Sequence, residues 1–369
     1  MRSSRFIIGA FIGISIILGI GGYILGDTFE KDKKILDKLD FLFPLTSQCS
    51  YGISEYLDDG FYKYDEDYNI TVIDFKGKPI KEYRNYYSYG GKGLFIYEDN
   101  NKYGYKNLDG TLLLKAKYDE AQEFNGDYAW VKFQGEGKEA VIDRRGNVVF
   151  KSEIGQNIIM VDEDNYMIES YGKKTKVINM RTGKILELDK TYYSVRPDGN
   201  GHYIGESNDS EKDFILDKNF VDETDQVLKG LTNKIYDLET FQGKYAATNL
   251  GYIDRNYNLV FKKTSEAELG SFSEGKAFIY YDNRIDCVDE NFKVLFSKKR
   301  TAKGNSSEIF TEFHNGVASI SLDGDRKGYI DDKGNWIVKP VFDMAKDVSN
   351  GVTAVRYRGK SGVICLKNQ

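Results

Sequence analysis

Proline is scarce, at 4 in 369 residues, and so are cysteine at 3, histidine at 2 and tryptophan at 2. Each scarcity excludes something. Three scattered cysteines (Cys49, Cys287, Cys365) form neither a disulfide framework nor a CxxC metal site, and two of them sit in apolar, strand-like runs as core thiols would. His202 and His314 are far apart with no HExxH spacing, which leaves no zinc hydrolase motif. There is no GxSxG elbow and no GxxxxGK phosphate loop. Gly199-Asn200-Gly201 through Gly205 has the wrong spacing for a dinucleotide fingerprint and reads as a turn. A net charge of −5 with no long block of Lys and Arg lacks the footprint that nucleic acid selects.

What the chain has in plenty is 28 Tyr, 22 Phe and 37 Gly. Aromatic residues suit pleated, half-buried strands, and glycine supplies the positive φ of tight turns, so the expectation is an all-β protein with many turns.

At the N-terminus, Phe6 to Leu25 is an uncharged run about as long as a hydrocarbon core is thick, preceded by Arg2 and Arg5. Residues 1–26 therefore read as a membrane anchor, or a signal segment, with the short N-terminus inside and the bulk of the chain extracytoplasmic. If the segment is cleaved, the protein is secreted; no A-x-A-like cleavage site follows Leu25. Within residues 27–59, Ile35, Leu36, Leu39 and Leu42 fall at helical spacing until Pro44, which predicts a stalk helix that lifts the outer domain off the membrane.

From residue 60 to 369 the chain repeats itself. A hydrophobic pair followed by Asp or Asn and a turn opens at Thr71, Gly104, Ala140, Lys176, Phe214, Gly251, Asp286, Gly328 and Gly362, with steps of 33, 36, 36, 38, 37, 35, 42 and 34 residues. Eight of the nine copies carry Asp or Asn fourth: Asp74, Asn107, Asp143, Asn179, Asp217, Asp254, Asp289 and Asp331. Such residues bond their own backbone and glycine accepts the left-handed conformation, so each copy predicts strand, tight turn, strand. Where Phe220, Tyr257 and Phe292 replace the glycine, the preceding Asn is expected to carry the turn. A further signal, such as Phe124-Asn125-Gly126 or Phe313-His314-Asn315-Gly316, introduces another strand. The expected architecture is an array of about eight three-stranded units, as a curved solenoid or alternatively a closed β-propeller, with the last strand capping an edge or closing a ring.

These units resemble the WG repeats of bacterial proteins, whose pattern runs Lys-Trp-Gly-Tyr-Ile-Asp, then Gly, a Val/Ile strand, Pro, Tyr/Phe-Asp and Phe-Ser-Glu-Gly-Leu-Ala. The unit from Lys327 matches best, through Gly328, Tyr329, Ile330, Asp331, Gly334, Pro340, Phe342, Asp343 and Gly351. At the namesake tryptophan this chain has Tyr103, Leu250, Lys327 and Ser361. The resemblance implies an all-β repeat array with an extracytoplasmic or binding role, and it implies no catalytic residue, cofactor or metal.

Acidic clusters such as Asp65-Glu66-Asp67 and Asp162-Glu163-Asp164 lack the continuation of a calcium loop and read as solvated charge. Because a catalytic carboxylate pair is needed once and a turn former in every unit, the repeated aspartates read as turns. The candidate binding surface is aromatic: Tyr86, Tyr87, Tyr89, Tyr192, Tyr193, Tyr280, Tyr281 and Trp336, able to stack on sugars or anchor a partner. The expected function is non-catalytic binding or scaffolding of a protein or peptide partner at the envelope. The alternatives are a cell-wall polysaccharide binder using tyrosines and a carbohydrate-active enzyme with an unrecognised acidic pair.

Overall fold

The computed structural model describes residues 30–366 apart from internal stretches, the longest being 53–59 and 302–310. Phe6 to Leu25 lies outside the described residues, and among the described residues no helix is long and apolar enough to cross a membrane.

The chain is all-β, and among the described residues its strands form nine antiparallel sheets. In chain order the first eight span residues 49–83, 86–118, 120–151, 156–187, 194–216, 245–262, 268–299 and 317–342. The ninth combines residues 344–365 with the N-terminal strand Asp40–Thr46. Among the described residues six sheets have four strands and three have three, so the units are nine rather than about eight, and most carry four strands.

Every copy of the repeated motif is a strand in a different sheet, from Ile70–Asp74 in the first to Lys360–Cys365 in the ninth. The sequence repeat is out of phase with the sheets, however. The motif strand and the strand after it, such as Lys102–Asn107 and Leu112–Tyr118, close one sheet. The next two, Glu120–Ala121 and Tyr128–Lys132, open the following one. One repeat thus spans two sheets and ties them covalently.

Side chains tie them as well. The motif tyrosine is fully buried, and its hydroxyl donates to a carbonyl just past the first strand of the next sheet: Tyr105 to Gln122 at 2.6 Å, Tyr252 to Gly270 at 2.6 Å, Tyr329 to Lys346 at 2.8 Å. The glycine before it is required by close approach. A Cβ on Gly104 would sit 2.6 Å from the Leu114 carbonyl oxygen, and one on Gly328 would sit 2.4 Å from that of Val338. At both places the pairing of the two strands shifts register, and the bulge brings the neighbouring backbone in.

All eight motif Asp or Asn residues sit in the tight turns. In the six aspartates, Oδ1 accepts from the backbone N–H groups two and four residues on, as Asp331 does from Lys333 at 3.0 Å and Asn335 at 2.7 Å. Asn179 accepts from Thr182, and Asn107 bonds Thr111. The aromatic replacements correct one expectation: Phe220, Tyr257 and Phe292 themselves take φ near +60°. The two phenylalanine rings are held by stacking, Phe220 on Tyr203 at 4.4 Å and Phe292 on Phe261 at 4.9 Å, and Tyr257 packs edge-on against Phe241 at 5.4 Å, contacts that offset a left-handed cost of about 1–2 kcal/mol.

Apolar clusters join the second sheet to the third and so on to the eighth and ninth. The ninth packs on the first through Val352, Ala354 and Val363 against Ile73, and only residues 84–85 separate the first from the second. The two ends of the array therefore meet. Short links such as Asp119, 152–155 and Asp343 run from the last strand of one sheet to the first of the next. They define a connection end; the Asp turns define the opposite, turn end.

The stalk expectation is replaced. Residues 30–36 are helical, but the helix is docked. Ile35, Leu36 and Leu39 pack on the core between the eighth and ninth sheets. Asp32, 4% exposed, accepts from Arg326 Nη1 at 2.6 Å and from the Tyr357 hydroxyl at 3.2 Å. Past Leu39 the chain becomes the strand Asp40–Thr46, antiparallel to Lys360–Cys365 with Asp40 opposite Cys365. Pro44 is exposed on this edge strand, where a missing N–H is tolerated.

Candidate functional site

The turn end shows what fills the space between neighbouring sheets. A Cβ on Gly146 of the third sheet would meet Leu114 of the second at 2.8 Å. One on Gly334 of the eighth would meet Phe296 of the seventh at 2.6 Å, and one on Gly77 of the first would meet Leu42 of the ninth at 2.9 Å. Each of these three turns is pressed onto a strand of the preceding sheet, with glycine needed both for φ near +80° and for the contact.

Among the described residues the ninth sheet has no such turn. Its fourth strand enters from Asp40 instead of returning from Cys365. Val338 of the eighth sheet is the register counterpart of Leu114 and Phe296, pairing with Tyr329 as they pair with Tyr105 and Cys287. The place where a turn would press on the eighth sheet is a cleft of about 690 Å³. Trp336, Val338 and Asn315 line one side, and Lys38, Asp40 and Leu366 the other. A second cleft of about 420 Å³ shares Asn315, Val317, Cys365 and Leu366 with it and extends to Phe75 and Val348.

The lining has an apolar floor and a polar rim. Trp336 is half-buried beside Phe296, with the Lys298 ammonium 5.3 Å from its ring centre. Asp332, Lys333, Lys38 and Asp40 supply rim charges of both signs. Asp331 is committed to its turn: burial works against its charge, but the hydrogen bonds from the Asn335 side chain and the Asn335 and Lys333 backbone prevail and hold its pKa below the usual carboxylate range. Asn315 Oδ1 accepts from the Asn350 N–H at 3.1 Å, and Glu274 accepts from the Asn315 and Gly316 N–H groups at 2.7 and 2.9 Å, so the turns flanking the cleft are braced. The size and mixed lining suit a ligand with apolar side chains and a polar backbone.

The structure separates the sequence-named aromatics. Tyr192 and Tyr280 are buried, which corrects their assignment to a binding surface. Tyr192 packs edge-on against Phe214 and its hydroxyl donates to Asp189 at 3.3 Å; the Tyr280 hydroxyl accepts from the Thr311 N–H at 3.0 Å. Their neighbours point the other way. Tyr193 is exposed, and Tyr281 is partly exposed under the Arg284 guanidinium at 4.0 Å. Tyr86, Tyr87 and Tyr89 lie in the strand Tyr86–Tyr89, and their side chains fall outside the described residues. Among the described members of the set only Trp336 lines the cleft. The acidic clusters are structural where described: Asp162 accepts from the backbone N–H groups of Asp164 and Asn165 and from the Tyr203 hydroxyl. Among the described residues no group of three or more His, Cys, Asp or Glu side chains is placed to hold a metal ion.

Sequence reasoning missed Lys38, Asp40 and Leu366, because the cleft exists only where the two chain ends meet.

Comparison with known proteins agrees with the architecture. No curated protein matches the chain in sequence. A structure described as the eukaryotic initiation factor superposes with a TM-score of 0.54 at 12% identity, covering 81% of this chain and 87% of that one, a likeness of fold. BamB from Moraxella catarrhalis has a TM-score of 0.41 at 10% identity, covering 89% of this chain and 97% of its own. The C-terminal WD40 domain of Sif2 has a TM-score of 0.42 at 11% identity, covering 89% and 97%. The WG containing repeat family matches residues 103–136 and 328–360, each spanning the last two strands of one sheet and the first two of the next. Those two units thus carry the WG containing repeat.

Proposed function

We propose that this chain is a non-catalytic binding protein, anchored in a membrane by Phe6 to Leu25, whose nine sheets form a closed ring of the β-propeller type outside the cytoplasm. Its ligand is an extended segment of a protein partner, held in the cleft where the ring closes. The observation that carries this reading is the turn missing from the ninth sheet, at whose place a cleft of about 690 Å³ is lined by the half-buried Trp336 together with Asn315, Lys38 and Asp40. Extended peptides suit such a groove because side chains enter apolar subsites while amides such as Asn315 meet the backbone. The consumption of all eight motif Asp or Asn residues in turns weighs against a catalytic acidic pair. The burial of Tyr192 and Tyr280 removes two of the tyrosines that a polysaccharide groove would use.

The test uses the full chain in lipid nanodiscs. Trp130, whose Nε1 donates to Glu139 in the third sheet, is replaced by Phe so that Trp336 reports alone. Peptides selected from a random display library are expected to shift Trp336 emission, and Trp336→Ala is expected to weaken their binding by about tenfold or more. Peptides that bind without moving the emission, and equally well to Trp336→Ala, would contradict the assignment. Retention on purified cell wall that is indifferent to Trp336→Ala would favour the polysaccharide alternative.

A further inference from the structure

We infer that the connection end of the ring is a lipid-facing surface, seated on the headgroups of the membrane that holds the anchor. This rests on the anchored reading above and adds an orientation and a contact surface to it.

The first argument is the length of the tether. The helical residues 30–36 are fixed to the connection end, because Asp32 bonds Arg326 and Tyr357. Both of these belong to hairpins at that end, Tyr357 facing Lys360 and Arg326 preceding Lys327 opposite Ser321. Four residues separate Leu25 from Glu30. Fully extended they span roughly 17 Å, and the headgroup layer alone takes up about 5–8 Å of that. The domain cannot stand off on a stalk, and the end nearest the bilayer is the connection end.

The second argument is what that end displays. Among the described residues three tyrosines are exposed, Tyr171, Tyr193 and Tyr236, and all lie there. Tyr171 follows Ser170 and the 77%-exposed Ile154 precedes Gln156 by two; Ser170 and Gln156 are paired, so both residues sit at the same end of one strand pair. Exposed Lys173 and Lys174 follow in the same hairpin. Tyr193 leads into the fifth sheet, and the Tyr236 N–H bonds the side chain of Asn249 in the hairpin of the sixth. Tyrosine, an apolar side chain and lysines on one surface are the set that partitions to a lipid headgroup layer. In a ring of nine, the fourth and fifth sheets, which carry Tyr171 and Tyr193, lie across from the eighth and ninth, where the tether attaches, and Tyr236 lies between the two. Contact at both rims lays the face flat.

The experiment reconstitutes the full chain in phosphatidylethanolamine/phosphatidylglycerol vesicles that carry a lipid with a photoactivatable headgroup, and maps adducts by peptide mass spectrometry. The expected result is adducts in 6–25 together with peptides containing Ile154, Tyr171, Tyr193 or Tyr236. Adducts in 6–25 with ring adducts confined to the turns around Gly146, Gly183 and Gly334, or absent, would overturn the orientation while leaving the anchor intact. A chain that neither sediments with vesicles nor shows adducts in 6–25 would remove the anchor and this inference with it. The double variant Ile154→Ser, Tyr171→Ser should stay vesicle-bound and unfold at the same temperature while losing about threefold or more of the adducts at Tyr193 and Tyr236. Unchanged adducts there would also count against a seated face.

Discussion

Asp40 lies opposite Cys365 in an antiparallel pair, so the first described strand of the chain is the edge strand of its last sheet. In the proposed ring this pairing both completes the closure and opens the cleft, because a fourth strand supplied from the N-terminal side arrives without the tight turn that would otherwise fill the gap.

The strand Asp40–Thr46 carries Phe41, Leu42, Phe43 and Leu45, all partly buried in the clusters on either side of the ninth sheet. Removing residues 1–29 is expected to leave the stability of the ring unchanged. Removing residues 1–46 should cost several kcal/mol, at about 1–2 kcal/mol for each partly buried side chain. Hydrogen exchange should accelerate first in residues 352–365. Equal protection of those residues in both truncations would contradict the role of the strand.

Tyr329 links the eighth sheet to the ninth through the Lys346 carbonyl and also contacts the Thr353 hydroxyl at 2.9 Å. Tyr329→Phe should cost about 1 kcal/mol in a denaturant titration, one net hydrogen bond, and Tyr329→Ala about 3–5 kcal/mol. Gly328→Ala should cost about 2–3 kcal/mol, since its Cβ would press on the Val338 carbonyl, which the ladder holds in place. A neutral Gly328→Ala would show that the bulge is not fixed.

The turn aspartates Asp143, Asp217, Asp254 and Asp331 share one pattern. Burial opposes their charge, but hydrogen bonds from the turn prevail and lower the pKa. A carboxyl more acidic in the folded than the unfolded state stabilises the fold above its unfolded pKa, and that contribution is lost as pH falls through the folded value. Stability should therefore drop below about pH 4, and Asp→Asn at these four positions should flatten the drop. A slope unchanged by the four substitutions would contradict it.

Asp213 behaves oppositely. Burial raises it to about 6, against the hydrogen bond from the Leu238 N–H at 2.7 Å. Its contribution is fully present below the unfolded pKa near 4 and is lost as pH rises from about 4 to about 6. Asp213→Asn keeps an acceptor for Leu238 and should stabilise by roughly 1–3 kcal/mol at pH 7 and by almost nothing at pH 3.5. A loss at pH 7 would show that the charged form is needed.

The turns were legible in the sequence because their chemistry is local: an Asp bonding its own backbone and a Gly at positive φ announce themselves within five residues. The partition into sheets was not, since the opening strands Glu120–Ala121, Glu268–Leu269 and Met344–Ala345 have two residues each, too few to show an alternation. Asp40–Thr46 was concealed by Pro44, which in sequence ends a helical pattern and in the fold sits on an exposed edge. The tyrosine pairs split because alternate strand residues face opposite sides, burying Tyr280 and leaving Tyr281 outward. Trp336 stands at the place after the turn that Leu112, Val148, Ile185 and Val294 occupy in other sheets. Its distinction comes from the absent turn beside it, which no local pattern encodes.

Closure by the N-terminal strand is most directly tested with Asp40→Cys in a Cys49→Ser background. Residues facing each other across an antiparallel pair have Cα atoms about 4.5–5.5 Å apart, within disulfide reach. Mild oxidation of the full chain should give an intramolecular bond from residue 40 to Cys365, identified as a linked peptide, with the native unfolding transition kept or raised. Absence of that bond, or cross-linking only between separate chains through Cys365, would contradict a ring closed by its own N-terminus.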